Sequence, residues 1–179
     1  MTAEPAVPAA GWVRDEPTRL VVEALKEGGV DFVASLPDTW LGEVANQVAA
    51  DPAFRFVPVT NEGEGLAICA GAWLTGRRSA LIMENSGLLL AGHQLETVCT
   101  KYEIPVLLLV SYRGHVGDGV WWLEPLGERV EQFLDTMDVR YTVVSRVEDV
   151  KAAVRDALVT AEMAKYPVAV LFRREAVRT

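Results

Sequence analysis

Cysteine, histidine and asparagine are scarce in this chain: two, two and three among 179 residues. Cys69 and Cys99 have neither the number nor the spacing of a disulfide framework or a zinc site. Each sits in a helical-looking stretch among apolar neighbours, which is the setting of a buried, inert thiol. His93 and His115 are too few for a histidine-rich metal site, and no metal ligands are expected in the chain itself. Positive charge is also short, with 17 basic residues against 25 acidic, a net charge of −8 and a pI near 4.8. That balance argues against nucleic acid or an anionic membrane surface as partner. No apolar run approaches the ~20 residues that cross a bilayer. The opening ten residues carry Glu4, Pro5 and Pro8 but no basic region leading into an apolar one, so a cytoplasmic protein is expected. Two common motifs are missing as well. The turn after the first predicted strand reads Ser35-Leu36-Pro37-Asp38, with no glycine-rich phosphate cradle, and no Gly-x-Ser-x-Gly elbow occurs anywhere.

What is present is a core. Half the residues are apolar, 23% are charged and the mean hydropathy is +0.17, values of a well-filled globular interior. Residues 1–14 are rich in Ala and Pro and lack periodicity, so they are read as a flexible tail before a single domain over 15–179. Helices are predicted over 16–27, 40–50, 62–74, 88–102, 126–137 and 148–165, and strands over 30–36, 55–59, 79–83, 105–110, 141–144 and 167–172. The strands are continuous apolar runs, the mark of strands covered on both faces. The fold class that follows is α/β, a doubly wound parallel sheet of about six strands with helices on both faces. Such sheets bind ligands at the carboxyl ends of their strands. The loops that matter are then 36–39, 60–62, 84–87 and 111–119.

Two of these loops repay close reading. Asn61 and Glu64 have the spacing of a capping box, which accounts for Glu64 without any function. Glu62 is left over at the first helical position. Favourable charge against the helix dipole explains it as well as a binding role does. Gly117-Asp118-Gly119 has the form of the start of a diphosphate and magnesium site, but such a site needs an asparagine pair downstream. The asparagines are Asn46, Asn61 and Asn85, all upstream. The segment is therefore read as a flexible loop, and the chain lacks a diphosphate anchor of its own. His115 lies in this glycine-rich loop, after a buried strand, where contact with a substrate is a live alternative to packing.

Residues 59–74, Val59-Thr60-Asn61-Glu62-Gly63-Glu64-Gly65 through Trp73-Leu74, resemble the helix after the second strand in the pyrimidine-binding domain of thiamine diphosphate enzymes. Ser35-Leu36-Pro37-Asp38-Thr39, Glu84-Asn85-Ser86-Gly87-Leu88 and the run 104–114 ending in Ser111-Tyr112-Arg113-Gly114 extend the likeness over about residues 17–172. Together they resemble sulfopyruvate decarboxylase alpha subunits and the front domain of phosphonopyruvate decarboxylases. The resemblance implies that Glu62 hydrogen-bonds the ring nitrogen of the cofactor's pyrimidine, with Pro37, Asn85, Ser86 and Gly87 also at the cofactor. Asp38, Arg113 and His115 would face a small 2-oxo acid, which loses carbon dioxide to leave an aldehyde. It further implies a beta subunit that carries the diphosphate and holds Mg2+, in an α2β2 or larger assembly with the active site shared between chains. Leu88-Leu89-Leu90 and Trp121-Trp122 would then be apolar surface awaiting that partner, unless they are core. Two departures leave other functions open. Leu89 and Leu90 stand where the branch usually has Gly-Asn, and Trp121-Trp122 enter a loop that is usually polar. Carboligation on a more apolar 2-oxo acid, or a regulatory domain that has lost the cofactor, are the alternatives.

Overall fold

A computed structural model describes residues 15–178; the expected tail, 1–14, lies outside them, as does residue 179. The chain alternates α1 (Asp15–Glu27), β1 (Phe32–Ser35), α2 (Gly42–Ala50), β2 (Arg55–Pro58), α3 (Glu62–Leu74) and β3 (Ser79–Glu84). It continues through α4 (Asn85–Leu90), the single turn α5 (Gly92–Gln94), a π-helical stretch (Leu95–Thr100), β4 (Leu107–Ser111), α6 (Glu124–Thr136) and β5 (Arg140–Val144). A 3-10 turn (Val147–Asp149), α7 (Val150–Ala164), β6 (Val168–Phe172) and α8 (Arg174–Val177) complete it.

The six strands form one sheet in the order β2-β1-β3-β4-β6-β5, with every neighbouring pair parallel. Ala34, Leu81, Leu108, Ala169 and Tyr141 lie in register across it. Interior strands β1, β3, β4 and β6 are buried almost throughout, as their unbroken apolar runs require. The edge strands differ from the expectation of coverage on both faces. β2 and β5 are largely half-buried or exposed, because each has a neighbour on one side only.

Two hydrophobic cores flank the sheet. One packs α1, α2, α7 and α8 on the side of Val33, Ile82, Leu109 and Val170. The other packs α3, α4, the π-helical stretch and α6 on the side of Ala34, Leu81, Leu108 and Leu171. Cys69 and Cys99 belong to the second core, and burial pushes both thiols up to about 12. The strand order reverses direction between β1 and β3, so the crevice at that switch point is where an open α/β sheet takes a ligand.

The predicted helix over 88–102 is the largest local departure. It begins three residues earlier, at Asn85, directly on the end of β3, and is broken into α4, α5 and the π-helical stretch. α8 and the extension of β4 to Ser111 were not foreseen either. Among the described residues no helix is long and apolar enough to cross a membrane.

Candidate active site

α3 brings a carboxylate to the switch point. Asn61 caps it, its Oδ1 accepting from the amides of Gly63 (2.8 Å) and Glu64 (3.3 Å). Glu64 reaches back one residue further than a capping box does, to the amide (3.1 Å) and hydroxyl (3.0 Å) of Thr60. Glu64 is thus consumed by the cap. Gly65 lets α3 lie against the sheet: a Cβ there would be 2.7 Å from Leu81 Cδ1. The helix is drawn down onto β3, and Glu62 at its first position is drawn down with it.

Glu62 is 7% exposed, and among the described residues no hydrogen bond or ion pair reaches its carboxylate. It rests on Gly87 of α4, where a Cβ would fall 2.1 Å from Oε1 and 2.2 Å from Cδ. Only a glycine leaves room for the carboxylate there. Its carboxylate oxygens keep a little solvent contact while the rest of the side chain is enclosed, so a ligand can reach them.

The remaining residues of the 84–87 turn fix this seat. Asn85, fully buried, donates from Nδ2 to the Arg113 carbonyl (2.8 Å) and accepts at Oδ1 from the Arg113 amide (3.2 Å). Its amide joins the ends of β3 and β4. Ser86 Oγ donates to Glu84 Oε1 (2.8 Å). Pro37 is exposed at the end of β1. Next to it Asp38 Oδ1 accepts from the amides of Trp40 (2.5 Å) and Leu41 (3.0 Å) and from Ser111 Oγ (2.9 Å). Asp38 Oδ2 is buried without a partner, as is Ser35 Oγ on the preceding strand residue.

Arg113 is nearly enclosed. Its guanidinium donates to Asp118 Oδ2 (2.9 Å) and Thr39 Oγ1 (3.1 Å), lies 3.7 Å from Glu84 Oε2, and stacks 4.6 Å from the centre of the Trp40 ring. Asp118 also accepts from the Gly114 amide (2.7 Å) and is 7% exposed. Asp118 is thus tied down, while Gly117 and Gly119 on either side of it are exposed. The neck of the loop is closed too, for a Cβ on Gly114 would be 1.9 Å from the Leu123 carbonyl oxygen. Asp118 stakes the loop inside and the neck pins it outside.

His115 is 9% exposed and packs edge-on against Tyr112 (5.7 Å) and Trp40 (6.0 Å). The Tyr112 phenol, bonded to Glu131 (2.6 Å), is raised above its ordinary value by burial and then by that carboxylate. Arg178 is lowered by burial and by neighbouring Arg113 and Arg174, with Asp38 acting the other way. This corner of the strand ends is rich in positive charge. Leu88 is core, whereas Leu90, Trp121 and Trp122 are exposed by 61%, 74% and 62%. Glu84 and Trp40 were not singled out from sequence, because their part is to hold other loop residues, and Asp118 was weighed only as part of Gly117-Asp118-Gly119. Arg173, at the end of β6, was missed because that strand's loop was not among those considered.

No protein-family model matches the chain. Among solved structures, it superposes on 2-oxoglutarate:ferredoxin oxidoreductase from Magnetococcus marinus with TM-score 0.70 at 20% identity, over 93% of this chain and 30% of that one. The thiamine diphosphate-dependent 4-hydroxybenzoylformate decarboxylase of Rhodococcus jostii gives TM-score 0.68 at 21% identity, over 91% and 31%. The chain thus spans about a third of either, and its fold is the α/β pyrimidine-binding domain fold of thiamine diphosphate-dependent enzymes.

Sequence relatives narrow this. The chain is 34% identical over 151 residues to sulfopyruvate decarboxylase subunit alpha of Methanococcus maripaludis, covering 84% of this chain and 90% of that protein. For the same subunit of Methanocaldococcus jannaschii the identity is 30% over 155 residues, covering 85% and 90%. Phosphonopyruvate decarboxylase of Streptomyces viridochromogenes is 33% identical over 133 residues, but these are 33% of its length. The chain belongs to the family of sulfopyruvate decarboxylase alpha subunits.

Proposed function

We propose that this chain is the alpha subunit of a two-chain, thiamine diphosphate-dependent 2-oxo acid decarboxylase, and that Glu62 is its proton-handling residue. The observation that carries the reading is the Glu62 carboxylate, buried, unpaired and seated on Gly87. A carboxylate so placed fits a ring nitrogen of an aminopyrimidine, which can share a proton with it. When bound, thiamine diphosphate supplies the electron sink that lets a 2-oxo acid lose carbon dioxide. The residues of this chain bind and orient. Glu62 holds a proton at the pyrimidine nitrogen, and Gly87 keeps its carboxylate in line. Pro37 and Ser86 complete the wall, and Asn85 holds it by tying the ends of β3 and β4 together. Toward the substrate, Asp38 offers Oδ2 and His115 offers Nε2, each without a hydrogen-bond partner among the described residues. Arg113 acts there by holding Thr39, Glu84 and Asp118 in place.

The reading includes a second chain. Among the described residues no cluster of His, Cys, Asp or Glu could hold a metal ion. Mg2+ and the diphosphate are assigned to a beta subunit, and covering Glu62 with that chain would dry the site. The relatives from Methanococcus and Methanocaldococcus are named as alpha subunits, which supports this division. The exposed Trp121-Trp122 pair, presented on the pinned loop, is assigned to the same contact.

Glu62→Gln tests the reading, since it keeps shape and removes the ionisable group. In the complex with its partner it should lower kcat by about 100- to 10,000-fold, the range of a lost general acid–base group. The thermal midpoint should stay close to wild type. Retention of most activity would refute the role.

A further inference from the structure

Beside the pinned loop lies a cleft of about 490 Å3, walled by Tyr112, His115, Glu124, Gly127, Glu128 and Arg173. Two side-chain nitrogens in its wall, Arg173 Nε and His115 Nε2, are buried and have no hydrogen-bond partner. Both side chains lean on one ring. The Arg173 guanidinium lies 5.8 Å from the centre of Tyr112, and His115 meets the same ring edge-on at 5.7 Å. Among the described residues no carboxylate pairs with Arg173. A buried donor nitrogen without a partner calls for one, and an anion that reaches the guanidinium would supply it.

Arg113 cannot serve in its place, because Asp118, Glu84 and Thr39 already occupy it. Arg173 is the counterpart on the next strand of the sheet, one residue beyond β6, at the carboxyl edge that also carries Glu62. We propose that Arg173, with His115 beside it, receives a second anionic group of the 2-oxo acid, a sulfonate, phosphonate or carboxylate, and so decides which substrate is accepted. The proposal rests on the reading of the chain as a decarboxylase subunit. The guanidinium fork matches the spacing of oxyanion oxygens. At His115, Nδ1 lies 2.9 Å from the Val116 carbonyl, which can only accept, so Nδ1 carries the hydrogen. Nε2 is then a lone pair on the neutral ring and an N–H on the charged one. The charged groups facing the cleft are Arg173 and the exposed carboxylates of Glu124 and Glu128 on α6, with Glu131 held by Tyr112 behind them. The two glutamates oppose an anion, so removing one should strengthen its binding.

Inorganic sulfate is the first probe, titrated into the full-length chain at constant ionic strength while arginine Nε–H resonances are followed by NMR. The resonance missing from Arg173→Gln should shift saturably, with tighter binding in Glu128→Gln. No saturable shift at that resonance would overturn the proposal. The second measurement is made on the complex with its partner chain, with sulfopyruvate and pyruvate as substrates. Arg173→Gln should lower the preference for sulfopyruvate, as a ratio of kcat/KM, by about tenfold or more, mainly through KM. Activity with unchanged preference refutes the anion site and leaves the decarboxylase reading standing. Absence of decarboxylation by the wild-type complex refutes that reading, and the sulfate titration then decides the anion site alone.

Discussion

Substituting Gly87 separates the geometry of the site from the stability of the fold. Gly87 lies within α4, its φ is negative, and alanine is the better helix former by about 1 kcal/mol. On backbone grounds Gly87→Ala should therefore be neutral or mildly stabilising. The added methyl, however, would stand 2.1 Å from Glu62 Oε1 and 2.3 Å from Cγ. Non-bonded carbon and oxygen need a separation above ~3 Å, so the carboxylate has to move by ~1 Å or more. A displacement of that size at a reacting group costs on the order of 100-fold in rate. Gly71→Ala in α3 is the control, since a Cβ there meets nothing within 4 Å. The assay is carbon dioxide release by the complex, with thermal unfolding of each variant alongside. Gly87→Ala should be folded and slow, and Gly71→Ala folded and as fast as wild type. Full activity in Gly87→Ala would refute the view that Gly87 seats the working carboxylate.

Other outcomes follow from single contacts. Asn85→Ala strands the carbonyl of Arg113, whose amide keeps the Ser111 carbonyl (3.0 Å), and it should cost about 1–3 kcal/mol in urea unfolding from one unsatisfied backbone group. Stability should fall as pH rises from about 9 toward 12. Cys69 and Cys99 stay protonated up to about 12 when folded but ionise near 9 when unfolded, so alkali favours the unfolded chain. Replacing both by Ser or Ala should flatten that part of a stability–pH curve. Trp121→Ala and Trp122→Ala should leave the unfolding free energy of the isolated chain within about 0.5 kcal/mol of wild type, as exposed positions do. Each should weaken assembly with the partner, measured by sedimentation or calorimetry.

The sheet was legible because interior strands in a doubly wound fold are unbroken apolar runs, and α3 was legible to the residue because Asn61 and Gly76 bracket it. The 88–102 region was not. Its apolar periodicity suits one continuous helix, whereas the structure breaks it at Ala91 and in the π-helical stretch, beside Gly92, where Phe133 leaves no room for a Cβ. Among site residues, Glu62 stood out once its neighbour Glu64 had been explained by the cap. The entanglement of Arg113 was invisible, because Asp118, Glu84 and Thr39 reach it from three loops that only the fold brings together. The tie at Asp118 was hidden for a related reason: Gly117 and Gly119, both at positive φ, flank a buried side chain whose partners are set by the fold.

Calorimetric titration of thiamine diphosphate with Mg2+ tests the central claim most directly, first on this chain alone and then on the complex isolated with its partner. The division of the site between two chains requires binding in the complex only, and loss of heat there in Glu62→Gln. Tight binding by this chain alone, or binding in the complex that Glu62→Gln leaves unchanged, would contradict it.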